Sequence, residues 1–163
     1  MDHDPRTRRS LLGAIGGSLA VGIAGCLGGN GGPNYERREI DIPADAEART
    51  PTELIAATQQ ATTSGSDAVG PTTAVGLTDH EFVFESGYLG PTVQGTVRNR
   101  AGSRIDSCEV RVRVYDGEGR LLGHYFDRAE GLGAGTAWSF SAILLESPAD
   151  LAAYEIAVLG SPP

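Results

Sequence analysis

The chain contains no lysine. Its 13 basic residues are all arginine, set against 21 acidic residues, for a net charge of −8. A surface of that sign repels nucleic acid and anionic lipid headgroups, so it excludes binding of either by charge attraction. Methionine occurs once, as Met1, and no histidine closely follows Cys108. That excludes a blue-copper carrier, which needs two His, a Cys and a distant axial Met. No Gly-x-Ser-x-Gly sits on a strand-to-helix turn; Ser64-Gly65-Ser66 lies in a Ser/Thr/Gly-rich stretch. A serine hydrolase therefore lacks its nucleophile elbow. The apolar run Leu11–Ala24 is about 14 residues, short of the roughly 20 a membrane-spanning helix needs.

Something more specific stands at the N-terminus. Thr7-Arg8-Arg9-Ser10-Leu11-Leu12 places paired arginines ahead of that mild apolar run. This resembles a twin-arginine (Tat) signal, the address for export of folded proteins. Ile23-Ala24-Gly25-Cys26 resembles a lipobox, with small residues before a thiol that accepts lipid. The resemblance implies cleavage after residue 25, lipid on Cys26, and a membrane partner reached through that lipid. The competing reading is a plain signal peptide with a chance cysteine. Cleavage removes three arginines and two aspartates, leaving the mature chain one charge more negative. An acidic, lysine-free chain also resembles proteins of extreme halophiles, haloarchaea included. At molar salt the Debye length is roughly 3 Å, so crowded carboxylates barely repel one another.

Residues 26–75 read as the lipidated cysteine followed by a mostly disordered tether. Leu27–Asn34 is glycine-rich, and Thr62–Thr73 is rich in Ser, Thr and Gly. Thr50-Pro51-Thr52-Glu53 carries a helix start: a Thr cap, Pro at the first position and Glu at the third. A short helix over 51–61 is expected. The alternative for this region has Ile40–Ile42 adding a strand to the folded domain.

Residues 76–160 read as that domain. Cys108, Val110, Val112 and Val114 alternate with Glu109, Arg111, Arg113 and Tyr115, the period-two pattern of a strand with one buried face. Asp116-Gly117-Glu118-Gly119 supplies a turn, and Arg120–Phe126 returns as a second strand. Similar alternation marks Phe82/Phe84, Val93/Gly95/Val97, Trp138/Phe140/Ala142 and Tyr154/Ile156/Val158. Six or seven short strands separated by Gly- and Pro-rich turns predict an all-β, two-sheet antiparallel sandwich.

Three segments are similar to the FxLyD domain, an immunoglobulin-like sandwich of prokaryotic exported lipoproteins. They are Val93-Gln94-Gly95-Thr96-Val97-Arg98-Asn99, Val112-Arg113-Val114-Tyr115-Asp116, and Leu132-Gly133-Ala134-Gly135 leading to Trp138 and Phe140. Val112 and Val114 replace the family's Phe and Leu and keep the apolar face. The resemblance implies a fold and almost nothing about activity.

Candidate reactive residues are few. His80, between Asp79 and Glu81, reads as part of a solvated turn, and His124 as packed or at a sheet edge. Cys108 reads as a core thiol without a disulfide partner. Asp106, Glu109, Asp116, Glu118 and Asp127 read as a solvated acidic surface. No catalytic, cofactor or metal residue is expected. The functional expectation is an anchored, non-catalytic module binding another envelope protein, with sheet edges and the Arg111/Arg113/Tyr115 stripe as candidate contact surfaces; the competing and favoured reading of the stripe is ordinary solvation of a halophilic surface. The alternative is a transporter accessory subunit or small-solute receptor, with a pocket lined by Trp138, Tyr125 and Tyr154.

Overall fold

The computed structural model describes residues 31–161, so the export signal and lipidation expectations at Arg8, Arg9 and Cys26 lie outside the described residues. Seven strands and one helix follow in order: β1 (Glu36–Glu39), α1 (Pro51–Gln60), β2 (Val75–Phe84), β3 (Pro91–Asn99), β4 (Ile105–Tyr115), β5 (Leu121–Leu132), β6 (Ala137–Ile143) and β7 (Ala153–Gly160). They form two antiparallel sheets, ordered β1-β7-β4-β5 and β2-β3-β6. This is the expected all-β sandwich.

The β4–β5 hairpin is the centre of the larger sheet. Val112 pairs with Tyr125 and Cys108 with Ala129. Cys108, Val110, Val112 and Val114 are all buried, as their alternation predicts. They meet Val93 and Val97 of β3, Phe140 of β6, and Tyr154 and Ile156 of β7 in one core between the sheets. The connection Asp116–Arg120 is one residue longer than expected, since β5 begins at Leu121, and the Asp116 amide donates across it to the Arg120 carbonyl at 3.0 Å. Asp116 closes the turn by accepting from the Glu118 and Arg120 amides at 3.0 and 2.8 Å. Gly119 takes φ +78°, a conformation that costs a side-chain-bearing residue strain.

At the far end of the sandwich, Asn99 is fully buried. Its amide donates to the carbonyls of Ser103 and Leu132 at 2.9 Å, and its oxygen accepts from the Ala101 amide at 2.8 Å. One side chain thus ties the β3–β4 connection to the end of β5.

The helix forms where its signals lie. The Thr50 hydroxyl accepts from the Glu53 amide at 3.3 Å, and Glu53 accepts from the Thr50 amide at 2.9 Å, a complete capping box.

Residues 31–75 depart from the tether expectation: they are laid against the sandwich. β1 pairs with β7, with Glu36 opposite Ile156 and Glu39 opposite Ala153. The added strand lies just before Ile40–Ile42; Ile40 is buried in the core. Past α1, Thr62 bridges Phe126 and Gly70 bridges Gly160. Val69 and Tyr35 pack on Ala157 and Leu159, which lie on the outer face of β7. Strand β7 is therefore covered on both faces, its outer face carrying Ala153, Ala157 and Leu159 with one charged residue, Glu155, which Tyr115 and Arg37 contact.

Candidate functional site

The segment 62–70 crosses the outer face of the larger sheet as a strap, held by a buried carboxylate. Glu109 projects outward from β4, as its position in the alternation requires, yet it is 0% exposed. It accepts from Arg111 Nε and Arg128 Nε, each at 2.6 Å, and from the Ser66 amide at 2.8 Å. Arg111 also donates to the Ser66 carbonyl at 2.8 Å, and Arg128 donates to the carbonyl of Ser64. A carboxylate out of water requires this many donors.

This corrects the expectation of a solvated acidic surface at Glu109. Asp116 is corrected likewise: it is largely covered. The Arg120 amide, followed by the Arg120 guanidinium, holds its carboxyl below the usual range against the opposing effect of burial. The Arg111/Arg113/Tyr115 stripe is not an open contact surface either. The Arg113 guanidinium lies 3.9 Å from the Tyr35 ring centre and Arg37 lies 5.0 Å from that of Tyr115. Tyr115 donates to Glu155 at 2.7 Å. The stripe is engaged by this chain's own N-terminal segment.

His80 is likewise not in a solvated turn. It lies within β2, is buried, and sits edge-on to the Tyr154 ring. Its Nδ1 is 2.8 Å from the Tyr154 hydroxyl and its Nε2 is 3.3 Å from a Glu36 carboxylate oxygen. An ionised carboxylate only accepts, so Nε2 carries the proton and, in the neutral ring, Nδ1 accepts from the phenol. Burial pushes the Tyr154 phenol up to about 12. His80 is a joint between β1, β2 and β7.

His124 is exposed on β5, the edge strand of its sheet, opposite Arg113. Cys108 is buried and free of any disulfide, and burial, helped by the neighbouring Glu109 charge, pushes its thiol up to about 12. Tyr125 donates to Glu146 at 2.8 Å, and burial raises its phenol as well. Trp138 packs beside Phe140 with ring centres 6.1 Å apart. Trp138, Tyr125 and Tyr154 thus face three different partners and do not converge on one cavity. Among the described residues, no cluster of three or more His, Cys, Asp or Glu side chains is arranged to hold a metal.

Depressions of about 690 and 180 Å³ lie between the edge strands β1 and β2, and one of about 480 Å³ lies across β2, β3 and β6, reaching β1 only at Arg38. The first lies between Pro33–Asn34 and Val75–Leu77. The other two share Arg38 and Glu81. On the opposite side the sheets are tied together, because the Ser141 amide of β6 donates to Asp127 of β5 at 2.8 Å. Periodicity pointed to β2 through Phe82 and Phe84 but not to β1, which reads as tether, and the seam between them depends on how these two distant edges meet.

Fold and side-chain clusters together define a two-sheet antiparallel β-sandwich wrapped by its own N-terminal segment. No protein family, curated protein or solved structure matches the chain. None of the helices among the described residues is long and apolar enough to cross a membrane.

Proposed function

We propose that the chain is an exported, lipid-anchored β-sandwich module that binds or supports another cell-envelope protein without catalysis. The observation that carries this reading is the N-terminal spacing: Arg8-Arg9, the apolar run Leu11–Ala24, and Ile23-Ala24-Gly25-Cys26. In this reading Cys26 becomes the first residue and carries the lipid. Two acyl chains anchor stably where one holds only marginally, at about 0.8 kcal/mol per buried methylene. A module held at the membrane meets partners there at raised effective concentration.

The proposal includes an FxLyD-type, immunoglobulin-like relationship and a halophilic source. Support for the first is that Val93–Asn99 and Val112–Tyr115 fall on adjoining parts of the core, on β3 and β4. Support for the second is the acidic, lysine-free composition.

A non-catalytic role is favoured by the state of the nucleophiles and bases. Cys108 is a buried thiol, His80 is occupied by Tyr154 and Glu36, and His124 lies exposed on the edge strand β5. The solute-receptor alternative is disfavoured by the separate partners of Trp138, Tyr125 and Tyr154.

The test is fractionation of cells at native salt, with affinity capture from envelopes, comparing the full protein with Cys26→Ser. The full protein is expected with the membranes and its captured partner, and Cys26→Ser in the soluble fraction. Retention of Cys26→Ser on membranes would overturn the anchor.

A further inference from the structure

We propose that the seam between β1 and β2 takes an extended, basic peptide segment of the envelope partner, added as a strand to the free edge of β2. The inference rests on the partner-binding reading above and gives it a site and a chemistry.

The first support is the accounting of strand edges. Edge β5 is covered where Thr62 bridges Phe126, and β6 is tied across to β5 through Ser141 and Asp127. Edge β1 is four residues long, Glu36–Glu39, and every one of them is exposed. A short, charged edge is a poor template for pairing. Beyond β1, the end of β7 is closed by two bonds between Gly70 and Gly160, at 2.9 and 3.0 Å. Strand β2 is different. It is ten residues long and pairs only with β3. Among the described residues its backbone makes one bond beyond β3, at the Leu77 carbonyl, which accepts from Arg100 at 3.4 Å. A bulge between Leu77 and Asp79 interrupts the edge, so its regular part is Asp79–Phe84, a run of about 20 Å at 3.3 Å per residue.

The second support is the shape beside that edge. The depressions of about 690 and 180 Å³ lie between β1 and β2, so an added strand has room against the β2 edge. Half-buried Leu77, Phe82 and Val158 border the seam and are apolar. Alternate side chains of an incoming strand would rest on them while the others point outward.

The third support is charge. The seam carries the carboxylates of Glu36, Glu39, Asp41, Asp79 and Glu81 against the guanidiniums of Arg38 and Arg100. Asp79 and Glu81 lie on one face of β2, opposite Thr96 and Gln94 of β3, and form no ion pair among the described residues. An extended segment alternating apolar with arginine or lysine side chains satisfies both the apolar border and this charge. Backbone pairing supplies affinity and the alternate side chains supply selection, as in other strand-addition complexes.

The probe is a synthetic peptide of alternating valine and arginine, matched to β2 in length. It is added to the full chain at molar salt, which suppresses long-range attraction to an acidic protein. Calorimetry reads affinity, and amide hydrogen exchange reads location. Slowed exchange is expected in β2. N-methylation of alternate peptide nitrogens, and separately Asp79→Arg with Glu81→Arg in the protein, should each weaken binding about tenfold or more. A valine–glutamate peptide should bind the charge-reversed protein instead. Equal binding of the N-methylated peptide, protection outside β2, absence of binding, or self-association through β2 would each overturn the proposal. The anchor reading fails on separate evidence, the membrane retention of Cys26→Ser, and peptide pairing on β2 is measured independently of it.

Discussion

Glu109→Ala removes the acceptor shared by Arg111, Arg128 and the Ser66 amide. Two guanidiniums are then left beside the strap without their counter-charge. Both are partly exposed and regain some hydration, so the expected loss is about 2–4 kcal/mol, below the full cost of orphaning a buried ion. Chemical denaturation measures it, and an unchanged midpoint would mean the clamp contributes nothing net. A second residue-scale expectation concerns high pH. Cys108 and Tyr154 are each raised to about 12, above unfolded values of about 8.5 and 10. The unfolded chain therefore loses these protons first. The stability they confer is complete below the unfolded values and declines as pH rises toward about 12. Denaturation midpoints across that range should fall. Cys108 should also resist alkylation in the native protein at neutral pH and react once unfolded, as a thiol-specific reagent would report.

Gly95 shows how tightly one element constrains another. A Cβ there would lie 2.2 Å from the Asp79 carbonyl oxygen and 2.9 Å from the Phe140 ring. The carbonyl belongs to backbone and cannot swing away, so Gly95→Ala forces β2 and β3 apart. The expected cost is about 1–3 kcal/mol, with faster amide exchange in β2. Unchanged exchange and stability would show that the sheet absorbs the methyl. The strands themselves were legible because their information is local. Val110, Val112 and Val114 repeat at period two, and Thr50-Pro51-Thr52-Glu53 spells a helix start. The strap was not legible because residues 62–70 carry one large aliphatic, Val69, and are held by side chains 45 and 64 positions away in sequence. Glu109 and Asp116 were misjudged for a related reason. The outward placement of Glu109 was right and its cover came from the strap, whereas Asp116 lies in the turn and is covered by the turn's own backbone. His80 was misjudged because flanking acids resemble a turn, whereas its burial depends on Tyr154 and Glu36 from other strands.

At the scale of the whole molecule, the folded unit begins well before the strand pattern does. The cover over Ala157 and Leu159 comes from Tyr35 and Val69, and β1 extends the larger sheet. A chain beginning at Ala74 would expose that face together with the Glu109 cluster. Its melting temperature is expected to fall by more than about 10 °C, with added tendency to aggregate. Calorimetry of the two lengths side by side measures this, and equal transitions would restore residues 31–73 to the status of a dispensable tether. The wrapped segment has a functional consequence too: it occupies the Arg111/Arg113/Tyr115 face and leaves the β1–β2 side as the more open surface. The most direct examination of the anchored-module reading is mass spectrometry of the N-terminal peptide from protein extracted from membranes. The expected species begins at Cys26 and carries two acyl chains. A peptide beginning at Met1, or one with an unmodified Cys26, would contradict it.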